Sequence, residues 1–150
     1  MSMVRAVHTH TRFMLSIVAL AAAGCVPLIE MPPPSDDGPR ISELHAALVP
    51  AELGCQVTLA FDFEAPESEV SRVSAGWVWR IGRRARTGRD TLTVAEGTFE
   101  GHRRGEAVAH TVPLQSGTYT YYVQVEDRSG RKSNVLRTTV SVGGWGAPEC

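Results

Sequence analysis

The chain predicts an all-β fold: a seven-stranded antiparallel Greek-key sandwich, preceded by a signal peptide and a disordered proline-rich tether. Three observations carry this. Short segments after residue 50 alternate apolar and polar residues with the period of two that marks a half-buried strand. Turn residues separate these segments every ten residues or so, giving about seven short strands, the spacing of a sandwich. No segment of the same region sustains a long helical period. The 150 residues leave room for one ordinary domain plus accessories, and 43% hydrophobic content suffices for a core.

Residues 1–24 form the signal segment. Arg5 and Arg12 precede an apolar run from Phe13 to Ala23, and no acidic residue occurs before Cys25. The run is shorter than the ~20 residues that span a bilayer. A positive start, a short apolar run and small residues before a cut site describe an export signal. Ala22-Ala23-Gly24-Cys25 resembles the lipobox of bacterial lipoproteins. The resemblance implies cleavage between Gly24 and Cys25 and diacylation of the Cys25 thiol by palmitate-like chains. Ala22 departs from the usual leucine at that position. Val26 rather than Asp after the cysteine resembles the outer-membrane sorting pattern, should the cell be Gram-negative. The alternative is an ordinary secretory signal cut after Ala23, with Cys25 a plain cysteine.

Residues 25–40 form the tether. Five of the fifteen residues from Val26 to Arg40 are proline, which removes backbone donors and fixes φ. Pro32-Pro33-Pro34 favours extended polyproline II, and Asp36-Asp37-Gly38 a solvated joint. Fully extended, such a segment holds a domain up to about 45 Å from the lipid surface. A proline-rich ligand for a partner domain is the alternative reading.

Residues 41–150 form the domain. Ile41 to Val49 is a first strand ended by Pro50, although Glu43 to Leu48 also fits one helical turn. From Cys55 to Glu64, Cys55, Val57, Leu59, Phe61 and Phe63 fall on one face, with polar residues on the other. Ala65 to Glu69 is a loop. Val73, Ala75, Trp77, Trp79 and Ile81 share a face of the next strand. Gly82 to Asp90 reads as basic and irregular, followed by a weak strand at Thr91 to Val94 and a glycine-rich turn region from Gly97 to Gly105. Further strands follow at Ala107 to Leu114, Gly117 to Asp127 and Asn134 to Val142.

Leu114-Gln-Ser-Gly-Thr-Tyr119-Thr-Tyr121 resembles the start of strand F in immunoglobulin-like and fibronectin type III-like domains. The resemblance implies that the Tyr119 hydroxyl bonds back to the preceding corner, and that Trp77 or Trp79 packs between the sheets. Tyr121 stands where antibody domains place their second cysteine, so the antibody-type core disulfide is absent. The resemblance spans Ile41 to Val142 and speaks to architecture more than function.

Three cysteines become an even remainder once Cys25 is assigned to lipid. Export then favours a Cys55–Cys150 disulfide, pinning the tail to the second strand. Closing so long a loop contributes about 4–5 kcal/mol at most on the chain-entropy argument. The two thiols could instead stay free or pair between chains.

The sequence offers no catalytic constellation and no cofactor. His45, His102 and His110 lack metal-ligand spacing, and Gly-x-Ser-x-Gly, His-Glu-x-x-His and phosphate-loop motifs are missing. Asp62 and Glu64 with Glu126 and Asp127 could meet as a calcium site, though solvated strand faces suffice to explain them. With 13 basic and 16 acidic residues after Cys25, nothing argues for nucleic acid. Arg80, Arg83, Arg84, Arg86 and Arg89 form the one dense charge cluster, a candidate surface for anionic headgroups or an acidic partner, joined by Arg103 and Arg104 if the region between folds back. A solvated loop is the simpler reading. Tyr122 and Trp145 are candidate exposed aromatics.

The expected protein is a membrane-anchored, non-enzymatic binding or structural module of the bacterial cell envelope. It is held by its lipid anchor, in the outer membrane if Gram-negative, with an envelope protein or glycan as partner. The alternative is a carbohydrate-binding module using exposed aromatics.

Overall fold

The computed structural model describes residues 29–52 and 54–143. The signal segment, Cys25, Trp145 and Cys150 lie outside the described residues. Eight strands make up the domain: β1 (Arg40–Ala51), β2 (Gly54–Glu64), β3 (Val70–Ile81), β4 (Arg84–Thr91), β5 (Thr93–Val94), β6 (Arg104–Thr111), β7 (Gly117–Asp127) and β8 (Leu136–Val142). They form two four-stranded sheets, ordered β1-β2-β6-β5 and β4-β3-β7-β8, and every pairing is antiparallel.

The alternation in β2 does what its pattern dictates. Val57, Leu59, Phe61 and Phe63 are buried, and Ala107 and Ala109 of β6 join them on the inner face. Across the gap, Val73, Ala75 and Trp79 of β3 and Tyr119, Tyr121, Val123 and Val125 of β7 complete the core. Tyr119 makes the corner expected of it. Its hydroxyl donates to the Gln115 carbonyl at 3.1 Å and accepts from the Gln115 N–H at 3.2 Å. Trp79 is the tryptophan packed between the sheets, its indole N–H donating to the Ser116 carbonyl at 3.0 Å.

Several details differ from the sequence-based expectation. Pro50 does not end β1. It lies opposite Cys55 in an edge strand, where a missing N–H can face solvent. The helix-compatible stretch at Glu43 is a β-bulge: the register slips between Ser42 and His45, and Glu43 has φ 53°. The basic segment expected to be irregular is the eighth strand, β4. Nearly all its residues are exposed, so it shows no alternation to read, and its arginines blunt an edge that would otherwise invite pairing. β6 begins at Arg104, inside the stretch expected to be a turn region.

The expected free tether is corrected from Ile29 onward. This strap lies across the outer face of β3 and β7. Ser35 exchanges two hydrogen bonds with Lys132, its N–H donating to the Lys132 carbonyl and its Oγ accepting from the Lys132 N–H. Gln124 Nε2 donates to the Pro32 carbonyl at 2.9 Å, and an Arg89 Nη2 donates to the Glu30 carbonyl. Gly76 leaves room for the strap: a Cβ there would come within 2.5 Å of Ile29 and 3.1 Å of the Met31 sulfur. Extended proline-rich chain has few internal bonds to lose, so an existing sheet face that supplies donors and an apolar seat can hold it.

The described residues do not show the expected Cys55–Cys150 bridge. No disulfide is found between described residues, among which Cys55 is the only cysteine. Cys55 is itself in the disulfide-bonded form, and Cys150 lies outside the described residues.

Candidate functional site

The two long edges of the sandwich are built differently. At one, β1 and β8 approach, and the Asn134 side chain joins them by accepting from the Ile41 N–H and donating to the Ile41 carbonyl, both at 2.9 Å. At the other, β4 and β5 leave a cleft of about 580 Å³. Period-two alternation in β3 and β7 sends Trp77, Trp79, Tyr119 and Tyr121 inward, with Trp77 opposite Tyr121 and Trp79 opposite Tyr119. From the other sheet, Gln56 of β2, Thr93 of β5 and His110 and Thr111 of β6 face this side of the gap. These four aromatics line the cleft together with Arg86, Asp90, Gln56 and Gln115, while Val112 and Leu114 lie at its rim.

The rings are fixed by their neighbours. Tyr119 and Tyr121 stack with centroids 5.9 Å apart, and Trp77 tilts against Tyr119 at 6.2 Å. The Trp77 indole lies over Gly88 of β4, where any Cβ would collide with the ring. Its N–H donates to Asp90 Oδ2 at 2.7 Å, which fixes the ring's tilt at the mouth. Burial first, then the neighbouring Tyr119 and the Asp90 carboxylate, push the Tyr121 phenol above its ordinary range. Tyr121 therefore stays neutral, a hydrogen-bonding group on an otherwise apolar floor. Such a site, apolar and aromatic with a few polar groups at its rim, suits a ligand with a flat apolar face and hydroxyl or amide edges. The period-two spacing Trp77-Val-Trp79 and Tyr119-Thr-Tyr121 was visible in the sequence, but it reads as ordinary core until the cleft beside it is seen.

The arginine cluster divides. Arg80, Arg83 and Arg84 crowd the β3–β4 hairpin, where Gly82 at φ 56° takes the first turn position. Arg86 lines the cleft, and Arg89 on the opposite face holds the strap. All five are exposed, and none forms an ion pair among the described residues. Arg103 and Arg104 lie at the far end, beside Pro66 and Glu64. The carboxylates considered for calcium are not gathered. Glu126 pairs with Arg72 at 2.7 Å and Lys132 at 3.3 Å, Asp127 pairs with Arg131 at 2.9 Å, and Asp62 and Glu64 belong to the other sheet. Hydrogen bonding from Arg72, more than that from Lys132, holds the Glu126 carboxyl below its usual range. No group of three or more metal-ligating side chains occurs among the described residues. Tyr122 is half-buried on the strap side, away from the cleft, and Trp145 lies outside the described residues.

Fold and site together define an immunoglobulin-like, two-sheet β-sandwich with an aromatic cleft at its open edge. No family model matches the chain, and no curated protein matches it in sequence.

Proposed function

We propose that the protein is a non-enzymatic binding module of the bacterial cell envelope, anchored through Cys25 and recognising its ligand in the aromatic cleft. The cleft is the observation that carries this reading: buried rings locked by Asp90, Gln115 and Ser116 form a rigid floor with a polar rim. Rigid sites of this kind hold a ligand without having to order themselves first. The strand order supports the Greek-key connectivity, and the strap leads back toward Cys25. In a Gram-negative cell the anchor would lie in the outer membrane.

Titration with muropeptides and envelope peptides, followed by tryptophan fluorescence, tests the reading. It expects a saturable change that Trp77→Ala removes. Turnover of a ligand that disappears when one polar cluster is mutated would sink the non-enzymatic reading.

A second reading, carbohydrate recognition, is favoured by the aromatic faces beside Asp90, Arg86 and Gln115, since sugars stack apolar faces on rings and bond hydroxyls to the rim. It rests on Trp77 and Trp79, not on the Tyr122 and Trp145 that the sequence suggested. Glycan-array binding lost in Trp77→Ala supports it, and absence of glycan binding counts against it.

A further inference from the structure

We propose that the cleft end of the sandwich is a membrane-docking surface, which presses the domain onto anionic lipid phosphates. The inference deepens the anchored-module reading and rests on Cys25 carrying lipid.

Two independent observations converge on this end. The first is surface chemistry. Among the described residues the large exposed hydrophobics are Ile81, Val108, Val112 and Leu114, and Leu114 is 86% exposed. Three of the four sit together. Ile81 closes β3, and the loop bearing Val112 and Leu114 runs into Ser116, whose carbonyl bonds Trp79 two residues before Ile81. Arg80, Arg83 and Arg84 lie on the same hairpin as Ile81, with Arg84 directly opposite it and Arg86 lining the cleft. Apolar side chains beside guanidiniums that form no ion pair among the described residues match a headgroup layer: the former enter the interface and the latter meet its phosphates. A protein partner with acidic rim and apolar centre would fit the same chemistry, but the strap favours the membrane.

The strap supplies the second observation. It runs from Ser35 beside Lys132, through Pro32 at Gln124, to Ile29 over Gly76. Along β3 this is the direction from Ser74, opposite Gln124, toward Ile81. Cys25 is four chain steps from Ile29, so it lies within about 14 Å of Ile29 even at full extension. The five chain steps of β3 from Gly76 to Ile81 cover about 16 Å. The anchor is therefore on a short leash whose reach, along the strap's course, is close to the arginine hairpin. The ~45 Å standoff expected of a free tether is lost once Ile29 to Ser35 are seated.

The test uses the full acylated chain on phosphatidylcholine vesicles and on vesicles that also contain phosphatidylglycerol. Amide hydrogen exchange is followed at Arg80–Arg84 and Val112–Leu114, with Glu96–Arg103 at the far end as the internal control. The expected result is slowed exchange at the first two segments on the anionic vesicles and none at the control. The combined variant Arg83→Gln, Arg84→Gln, Arg86→Gln reduces the docked-to-undocked ratio about a hundredfold at low salt. Leu114→Ser, which removes the most exposed apolar group and no charge, weakens docking on both vesicle types. Equal exchange on the two vesicle types, or protection at Glu96–Arg103 instead, overturns the docking surface. Absence of palmitate label on Cys25 overturns the anchor reading separately, whatever the exchange pattern.

Discussion

The closed edge and the open edge of this sandwich solve the same problem in opposite ways. Where β1 meets β8, one amide side chain, Asn134, offers the donor and acceptor that a neighbouring strand would have offered Ile41. Where β4 faces β5, the chain crosses between the sheets at buried Leu92, whose N–H donates to the Val73 carbonyl, and beside that crossing aromatic rings fill part of the gap and leave the rest as a cleft. The closed edge spends its polar groups on cohesion. The open edge spends them on holding rings in place: Asp90 on Trp77, Ser116 on Trp79, Gln115 on Tyr119. Closure is satisfied by a side chain that completes backbone groups, while a binding floor needs side chains fixed from behind.

The largest expected effect comes from removing the central ring of the open edge. Trp79→Ala should lower unfolding free energy by about 3–5 kcal/mol in a denaturant titration. A loss below 1 kcal/mol would show that the open edge contributes little to stability. At the closed edge, Asn134→Ala leaves a backbone N–H and C=O of Ile41 without partners. It should cost about 1–3 kcal/mol and speed exchange of the Ile41 amide, with the cleft unaffected. If ligand binding also fell, the two edges would not be independent. Tyr119→Phe removes only the corner hydroxyl and should cost about 1 kcal/mol, with Tyr119's stacking partners unchanged in near-UV circular dichroism.

The smallest effect is electrostatic and belongs to neither edge. The folded-state pKa of Glu126 is depressed by Arg72 and Lys132, so its contribution is present above the ordinary carboxylate pKa near 4.5 and is lost as pH falls through the folded value. Thermal melts should show a shallow loss of stability on acidification below about pH 4.5, and Glu126→Gln should flatten it. Tyr121 acts with the opposite sign. Its raised pKa favours the folded state up to the ordinary tyrosine value of 10, and that advantage falls away as the pH rises further. Absorbance titration should find Tyr121 silent until the protein unfolds.

Much of the architecture was readable because its information is local. Phe61 and Phe63 announce an inward face by alternating with Asp62 and Glu64, and Tyr119 follows Ser116-Gly117 at a spacing that allows a corner. β4 was not readable, since an edge strand exposed on both faces has no apolar period: Arg84, Arg86 and Arg89 look the same in a loop. The strap was misread for a related reason. Prolines exclude helix and sheet, and exclusion does not distinguish a free segment from one seated on another surface. Only the donors of Gln124 and Arg89 and the bare backbone at Gly76 decide that.

The sequence by itself determined which residues turn inward, because side-chain direction in a strand follows from a period of two. It also determined that Trp77, Trp79, Tyr119 and Tyr121 share that face. Tertiary structure alone decided that these four stand beside Gln56, Thr93, His110 and Thr111 of the other sheet, and so became the floor of a cleft. It also decided that the proline segment lies down on the sheet. Both outcomes depend on which surfaces, distant in sequence, come to face one another, and no local period encodes that.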